Sequence, residues 1–109
     1  MPKRWLIHEI EYRGFKGKND WGEDEFYEPV TIQNVRFDDS TVFSRDQTQT
    51  KILAEAVIFV DAKHSRPLPE QFTEQSKVSF RGKEYTVQKV VPCYHPTKNK
   101  IHHWELEVL

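Results

Sequence analysis

Disulfides, membrane spans and a strong net charge are all missing from this sequence. Cys93 is the single cysteine, so no disulfide can form within the chain. No apolar run approaches the roughly 20 residues of a membrane-spanning helix, and no export signal follows the basic residues Lys3 and Arg4. Sixteen basic and seventeen acidic residues leave a net charge of -1, whereas a freestanding nucleic-acid binder usually has a basic excess. We therefore expect a soluble protein that is made inside the cell and has no membrane partner.

Aromatic side chains and short alternating segments are what the chain does have. Seven Phe, four Tyr and three Trp in a chain that is 37% hydrophobic favour β structure, because bulky rings pack well on pleated surfaces. Val78 and Phe80 alternate with polar residues before a turn at Gly82, and Tyr85 and Val87 continue the alternation after it. This pattern predicts a β-hairpin with a short glycine-containing connection.

The end of the chain predicts another strand with one apolar side. Trp104, Leu106 and Val108 share one parity, while His103 and Glu105 have the other. The apolar side of these strands needs a cover, which the rest of the chain has to supply. The predicted core contains Ile58, Val60, Phe80, Tyr85, Val87, Trp104 and Leu106.

The remaining patterns predict an all-β fold. They indicate a strand at 4–12, a strand at 29–37 with a β-bulge near Gln33 and Asn34, a turn at 38–40 with a short pairing segment at 41–43, a central strand through 57–60 buried on both faces, and a crossover at 63–73 with one helical turn at 70–72. At 109 residues the chain is long enough for one domain with its own core. We expect a single antiparallel β-barrel or small sandwich of six or seven strands over residues 1–109.

The stretch 13–28 has no strand periodicity and predicts a long flexible loop. Loops of this length tend to be functional or disordered. Its predicted partner-binding residues are Phe15, Asp20, Trp21, Glu23, Asp24, Glu25, Phe26 and Tyr27. The aromatic rings could stack on single-stranded nucleic acid, but the surrounding acids would repel phosphates. We therefore favour a protein partner for this loop, which would be mobile in the free protein.

No residue pattern indicates catalysis or a bound cofactor. Cys93, His95, His102 and His103 are zinc-ligand types, but their spacing matches no common zinc module. Adjacent strand residues also point to opposite faces, so His102 and His103 should not ligate together. Glu105 and Glu107 resemble the catalytic carboxylate pair of a retaining glycosidase only in their separation. They predict a solvated strand face. We expect no enzyme activity, cofactor, metal dependence or small-molecule substrate.

Several sequence blocks carry a resemblance to a known family. They are Asp20-Trp21-Gly22, Ile32-x-Asn34-Val35-Arg36, Ala56-x-Ile58-x-Val60-Asp61, Lys77-Val78-x-Phe80-x-Gly82-x-x-Tyr85-x-Val87 and His103-Trp104-Glu105-Leu106. Over nearly its full length the chain resembles minor capsid proteins of tailed bacteriophages and prophages, within the group of head-completion or head–tail connector (stopper) proteins. The blocks are packing and turn positions, not catalytic signatures.

The resemblance implies a structural role. Such proteins are small β-barrels with a long early loop that form a ring under the portal, join head to tail and help to retain packaged DNA. It implies further copies of the chain, portal or adaptor proteins and tail-completion proteins as partners, with passing contact with double-stranded DNA in the channel. It also implies a place at the head–tail junction of the virion after synthesis in the bacterial cytoplasm. The alternative is a small β-barrel that binds nucleic acid as a monomer.

Overall fold

Ten strands make up almost all of the regular structure. A computed structural model describes residues 3–39, 41–43, 52–69 and 71–109. The strands are β1 (His8–Arg13), β2 (Phe15–Lys18), β3 (Asp24–Phe26), β4 (Val30–Asp38), β5 (Val42–Phe43), β6 (Ile52–Ala54), β7 (Ala56–Asp61), β8 (Lys77–Phe80), β9 (Lys83–Tyr94) and β10 (Ile101–Val108). Within these ranges the one helical element is a 3-10 turn at Lys3–Trp5, and none is long and apolar enough to cross a membrane.

Six of the strands form a closed antiparallel barrel in the order β1-β4-β7-β10-β9-β8. The barrel closes where β1 pairs with β8, with Tyr12 opposite Val78. Strands β8 and β9 are the predicted hairpin, with Phe80 opposite Lys83 across the turn. The all-β prediction is confirmed, and closure decides for a barrel over a sandwich.

The barrel interior holds most of the predicted core residues. Ile58, Val60 and Leu106 have no solvent exposure, Val87 has almost none, and Tyr85 is 9% exposed. Two aromatic rings lie at the margin of this core and are only partly buried. Phe80 stacks on Phe37 at a ring-centroid distance of 4.2 Å, and Trp104 packs against Phe72 at 5.2 Å.

A β-bulge interrupts β4 where the change of parity predicts it. His8 lies opposite Val35 and Glu9 opposite Gln33, so Asn34 is the extra residue. Asn34 has a φ of 58°, in the left-handed region that asparagine tolerates better than most residues. Its side-chain amide donates to the carbonyl of His64 at 3.1 Å. The bulge thereby fixes the crossover after β7 against β4.

The predicted strand at 4–12 is wrong in its first half. The Leu6 amide donates to the Lys3 carbonyl at 3.0 Å and closes a helical turn, so pairing begins only at His8. Leu6 is buried, whereas Trp5 and Ile7 are exposed.

The helical turn predicted at 70–72 is also wrong for the described part. Gln71 and Phe72 have no regular structure, and the Phe72 ring packs edge-on against Tyr12 at 5.1 Å. This segment is held by aromatic packing and not by helical hydrogen bonds. Three of the predicted positions lie outside the described residues: residue 70, residue 40 of the predicted turn and the polar stretch 44–50. In the predicted pairing segment 41–43, Val42 and Phe43 form β5 and pair with β6.

Candidate functional site

The stretch predicted as a loop without regular structure forms a β-hairpin. Strands β2 and β3 pair with each other, with Phe15 opposite Phe26 and Lys18 opposite Asp24. Among the described residues these two strands make their own two-stranded sheet, separate from the barrel. We call residues 15–26 the β2–β3 hairpin. Within the described part of the chain, neither β2 nor β3 pairs with a barrel strand, so the outer edge of each has no strand partner.

Asn19 organises the turn of the β2–β3 hairpin. Its side-chain oxygen accepts the amides of Trp21 at 2.9 Å and Glu23 at 3.0 Å. The backbone amide of Asn19 donates to the Glu23 carbonyl at 2.9 Å. Gly22 has a φ of 76°, a conformation that side chains rarely adopt. This turn holds Trp21 at the tip, where the residue is 87% exposed.

A buried hydroxyl fastens the base of the hairpin to the barrel. Ser76, which has no solvent exposure, accepts hydrogen bonds from the Tyr12 hydroxyl at 3.0 Å and the Phe15 amide at 2.9 Å. Its oxygen also lies 2.7 Å from the Thr73 hydroxyl. Because both Ser76 lone pairs are occupied, the Ser76 proton is donated to Thr73. The base of the hairpin is therefore anchored while its tip extends into solvent.

The predicted partner-binding residues divide into two groups. Phe15 and Phe26 pack against each other at 5.7 Å and are partly buried. Trp21 and Tyr27 are exposed large hydrophobic residues. The acidic residues Asp20, Glu23, Asp24 and Glu25 are all exposed, and Asp24 pairs with Lys18 at 3.0 Å. The hairpin and Tyr27, the residue that follows it, thus present two aromatic rings within an acidic surface.

A second cluster brings together Cys93 of β9 with His103 and Glu105 of β10, which are separated by about ten residues in the sequence. Cys93 lies opposite His103 across β9 and β10, and Glu105 follows on the same strand as His103. The Cys93 thiol donates to a Glu105 carboxylate oxygen at 3.0 Å. One ligand atom from each of Cys93, His103 and Glu105 lies within 4.8 Å of the others. Glu105 was expected on a solvated face but is half-buried.

A register irregularity explains why the two neighbouring histidines contact each other. Ile101 pairs with Tyr94 and His103 with Cys93, so His102 falls in a bulge of β10. Their Nδ1 atoms lie 2.8 Å apart, which the opposite-face argument for a regular strand did not allow. His95 lies near His102, with ring centroids 6.2 Å apart, but is not part of the cluster.

A basic cleft lies beside this cluster, at the end of the β9–β10 hairpin. It has a volume of about 470 Å³. Its lining includes Lys63, His64, His95, Lys98, Lys100 and His102, together with Asp61, whose carboxylate accepts the backbone amides of Lys63 and His64. The lysines are exposed. A phosphate group is the chemical class that such a lining attracts.

The fold and surface define a small closed β-barrel with a projecting hairpin. A family model described as minor capsid protein matches residues 2–108. The chain therefore belongs to the minor capsid protein family, which confirms the resemblance to phage minor capsid proteins and makes it a structural phage protein of the virion. Membership of a structural family suggests a protein that is not an enzyme. No curated protein and no solved structure matches the chain.

Proposed function

We propose that this minor capsid protein is a head–tail connector subunit that uses the β2–β3 hairpin to bind its neighbours in a ring under the portal. The observation that carries the proposal is the exposure of Trp21 at the tip of the hairpin. Tryptophan is among the residues that dominate binding energy at protein interfaces. A solvent-exposed tryptophan on an anchored, separate sheet is an arrangement that suits a contact with another subunit.

The hairpin offers two ways of binding. Its outer strand edges can accept an added strand from a neighbouring subunit, with main-chain hydrogen bonds supplying affinity. Trp21 and Tyr27 can then fill apolar pockets on the partner, while Asp20 and Glu23 meet basic groups at the rim. In the assembled ring, acids that do not meet a subunit would line the channel and keep DNA from adhering.

The test compares two exposed tryptophans. Wild type, Trp21→Ala and the matched control Trp5→Ala are measured for mass in solution and for pull-down of portal and tail-completion proteins. Trp5 is also exposed, at 51%, but lies outside the hairpin. We expect Trp21→Ala to lose assembly by about tenfold or more in affinity, the size of a hot-spot residue, and Trp5→Ala to retain it. Equal behaviour of the two variants would exclude the hairpin as the contact.

A second candidate function, nucleic-acid binding, is favoured by the basic cleft at the end of β9 and β10. Three lysines converge there although the whole chain is nearly neutral. For a connector, this cleft would make passing contacts with the phosphates of DNA in the channel. For a nucleic-acid-binding module, it would be the main binding surface, and binding would weaken steeply with salt.

A further inference from the structure

Cys93, His103 and Glu105 combine a thiol, an imidazole and a carboxylate on two adjacent strands. The direct pairing of Cys93 with His103 sets one ligand on each strand, and the two-residue step to Glu105 returns to the same side of β10. The spacing of the three ligand atoms, all within 4.8 Å of one another, is set by the strand register. Strand β10 pairs with β7 on one side and β9 on the other, which gives His103 and Glu105 a rigid support.

The distances are close to those of a metal centre. Bond lengths of about 2.3 Å to sulfur and about 2.0–2.2 Å to nitrogen and oxygen place tetrahedral zinc ligands roughly 3.3–3.8 Å from one another. Contraction of the group by no more than about 1.5 Å therefore gives coordination distances. The Cys93 sulfur and the Glu105 carboxylate oxygen are 3.0 Å apart with the thiol proton between them, so this pair would separate by roughly 0.5 Å when an ion replaces the proton.

In the metal-free protein the Cys93 thiol donates its proton in a hydrogen bond to Glu105, and a bound metal ion would have to displace that proton. Burial and the Glu105 carboxylate raise the pKa of the Cys93 thiol to about 11, so the metal-free protein keeps the thiol protonated. The contact of His102 with Nδ1 of His103 orients the ring, as outer-shell partners of metal-binding histidines do.

We propose that Cys93, His103 and Glu105 form a binding site for a divalent transition-metal ion, with Zn²⁺ as the ion that this donor set fits best. On binding, the Cys93 Sγ–H bond breaks, a sulfur–metal bond forms and the proton passes to solvent. Three protein ligands leave a fourth position for water or another donor. The proposal does not depend on the connector function, and it is opposed to the sequence-based expectation of no metal dependence, so the test below decides between the two.

The test uses Co²⁺ and Zn²⁺ on the full chain after removal of metal with a chelator. We expect Co²⁺ to produce the near-ultraviolet absorption of a thiolate-to-cobalt charge transfer, and one equivalent of Zn²⁺ to abolish it. Zn²⁺ should also protect Cys93, the single cysteine, from alkylation. These two measurements use the wild-type chain and do not depend on the folding of any variant. Absence of both the absorption and the protection would overturn the proposal.

Substitutions locate the ion within the chain. Cys93→Ser should remove the charge-transfer band, and His103→Gln or Glu105→Gln should weaken Zn²⁺ binding by roughly tenfold or more. The matched control is His95→Gln, which removes an imidazole from the neighbouring basic cleft and should leave binding unchanged. If His95→Gln weakens binding as much as His103→Gln does, the metal belongs to the cleft and the proposed site is wrong.

Discussion

At the scale of single residues, the side chain of Ser76 connects three segments of the chain. Its oxygen accepts hydrogen bonds from the Tyr12 hydroxyl and the Phe15 amide and contacts the Thr73 hydroxyl. One oxygen therefore joins β1, the base of the hairpin and the crossover. We expect Ser76→Ala to lower the free energy of unfolding by about 2–3 kcal/mol, because two buried donors lose their acceptor. Urea unfolding measures this loss.

The matched control for Ser76 is Ser79→Ala on strand β8. Ser79 is only half-buried, and its substitution should change stability by no more than about 0.5 kcal/mol. In Ser76→Ala the Phe15 amide should also exchange its hydrogen faster than in the wild type. A variant as stable as Ser79→Ala would show that the hydroxyl does not anchor the hairpin.

His8 makes stability depend on pH. Burial, followed by the cationic Arg81 and Arg36, lowers the pKa of His8. Its Nδ1 also accepts the Phe37 amide at 3.0 Å, and protonation of that nitrogen would remove the hydrogen bond. Because the folded-state pKa is below the unfolded value of about 6.5, the unfolded chain binds more protons. Stability from this group is present above about pH 6.5 and is lost as pH falls through the folded pKa.

The measurement is the urea midpoint at pH 7.5 and pH 5.5, with the metal chelated. We expect the wild type to lose stability at the lower pH, and His8→Gln to lose less because the titrating group is gone. His64→Gln is the control, since His64 lies in the basic cleft away from this hydrogen bond. If the urea midpoint of His8→Gln falls between pH 7.5 and pH 5.5 by as much as that of the wild type, His8 is not the source of the pH dependence.

At the scale of elements, alternation predicted the barrel strands but not the hairpin. The parity switch between Ile32 and Val35 located the bulge at Asn34, because burial on one side leaves a trace in the sequence. The β2–β3 hairpin leaves none. Its strands contain Gly17 and exposed charges, and its geometry depends on the side chain of Asn19. Local turn chemistry of this kind does not produce a period of two.

Cys93 and His103 were recognised as zinc-ligand types from the sequence, but their grouping with Glu105 was not predicted, for a different reason. Sequence order places Cys93 next to His95, whereas the partner set depends on which residue of β10 lies opposite Cys93. The bulge at His102 shifts that register by one residue, and a shift of one residue reverses which side chains share a face. Glu105 could be recognised as a neighbour of Cys93 only once the pairing was known.

The separation of the hairpin from the barrel predicts that it can be removed. Residues 16–26 are deleted and Phe15 is joined to Tyr27 through two glycines. This design retains the hydrogen bond from the Phe15 backbone amide to the Ser76 hydroxyl. We expect the variant to melt within about 5 °C of the wild type, the shift that roughly 1 kcal/mol produces in a domain of this size, and to lose pull-down of its partners. Unfolding on deletion would contradict this, as would hairpin amides that are as protected from hydrogen exchange as those of β7.

At the scale of the whole molecule, the distribution of charge separates the two candidate functions. The net charge of -1 gives no long-range attraction to DNA, and Lys63, Lys98 and Lys100 are the lysines that line the basic cleft. Neutralising three phosphates corresponds to a slope of about -3 in a plot of log K against log salt. A connector should therefore bind a double-stranded DNA fragment weakly, with a slope no steeper than about -3.

Charge reversal in the cleft tests the origin of that binding. Lys98→Glu with Lys100→Glu should remove the weak DNA binding, because both ammonium groups are exposed in the cleft and are replaced by repelling carboxylates. The control is Lys16→Glu on the hairpin, a similar change at an exposed lysine outside the cleft. Pull-down of portal and tail-completion proteins should survive in the double variant. A steeper slope in the wild type, with tight binding by the monomer and no pull-down, would instead favour the nucleic-acid-binding module.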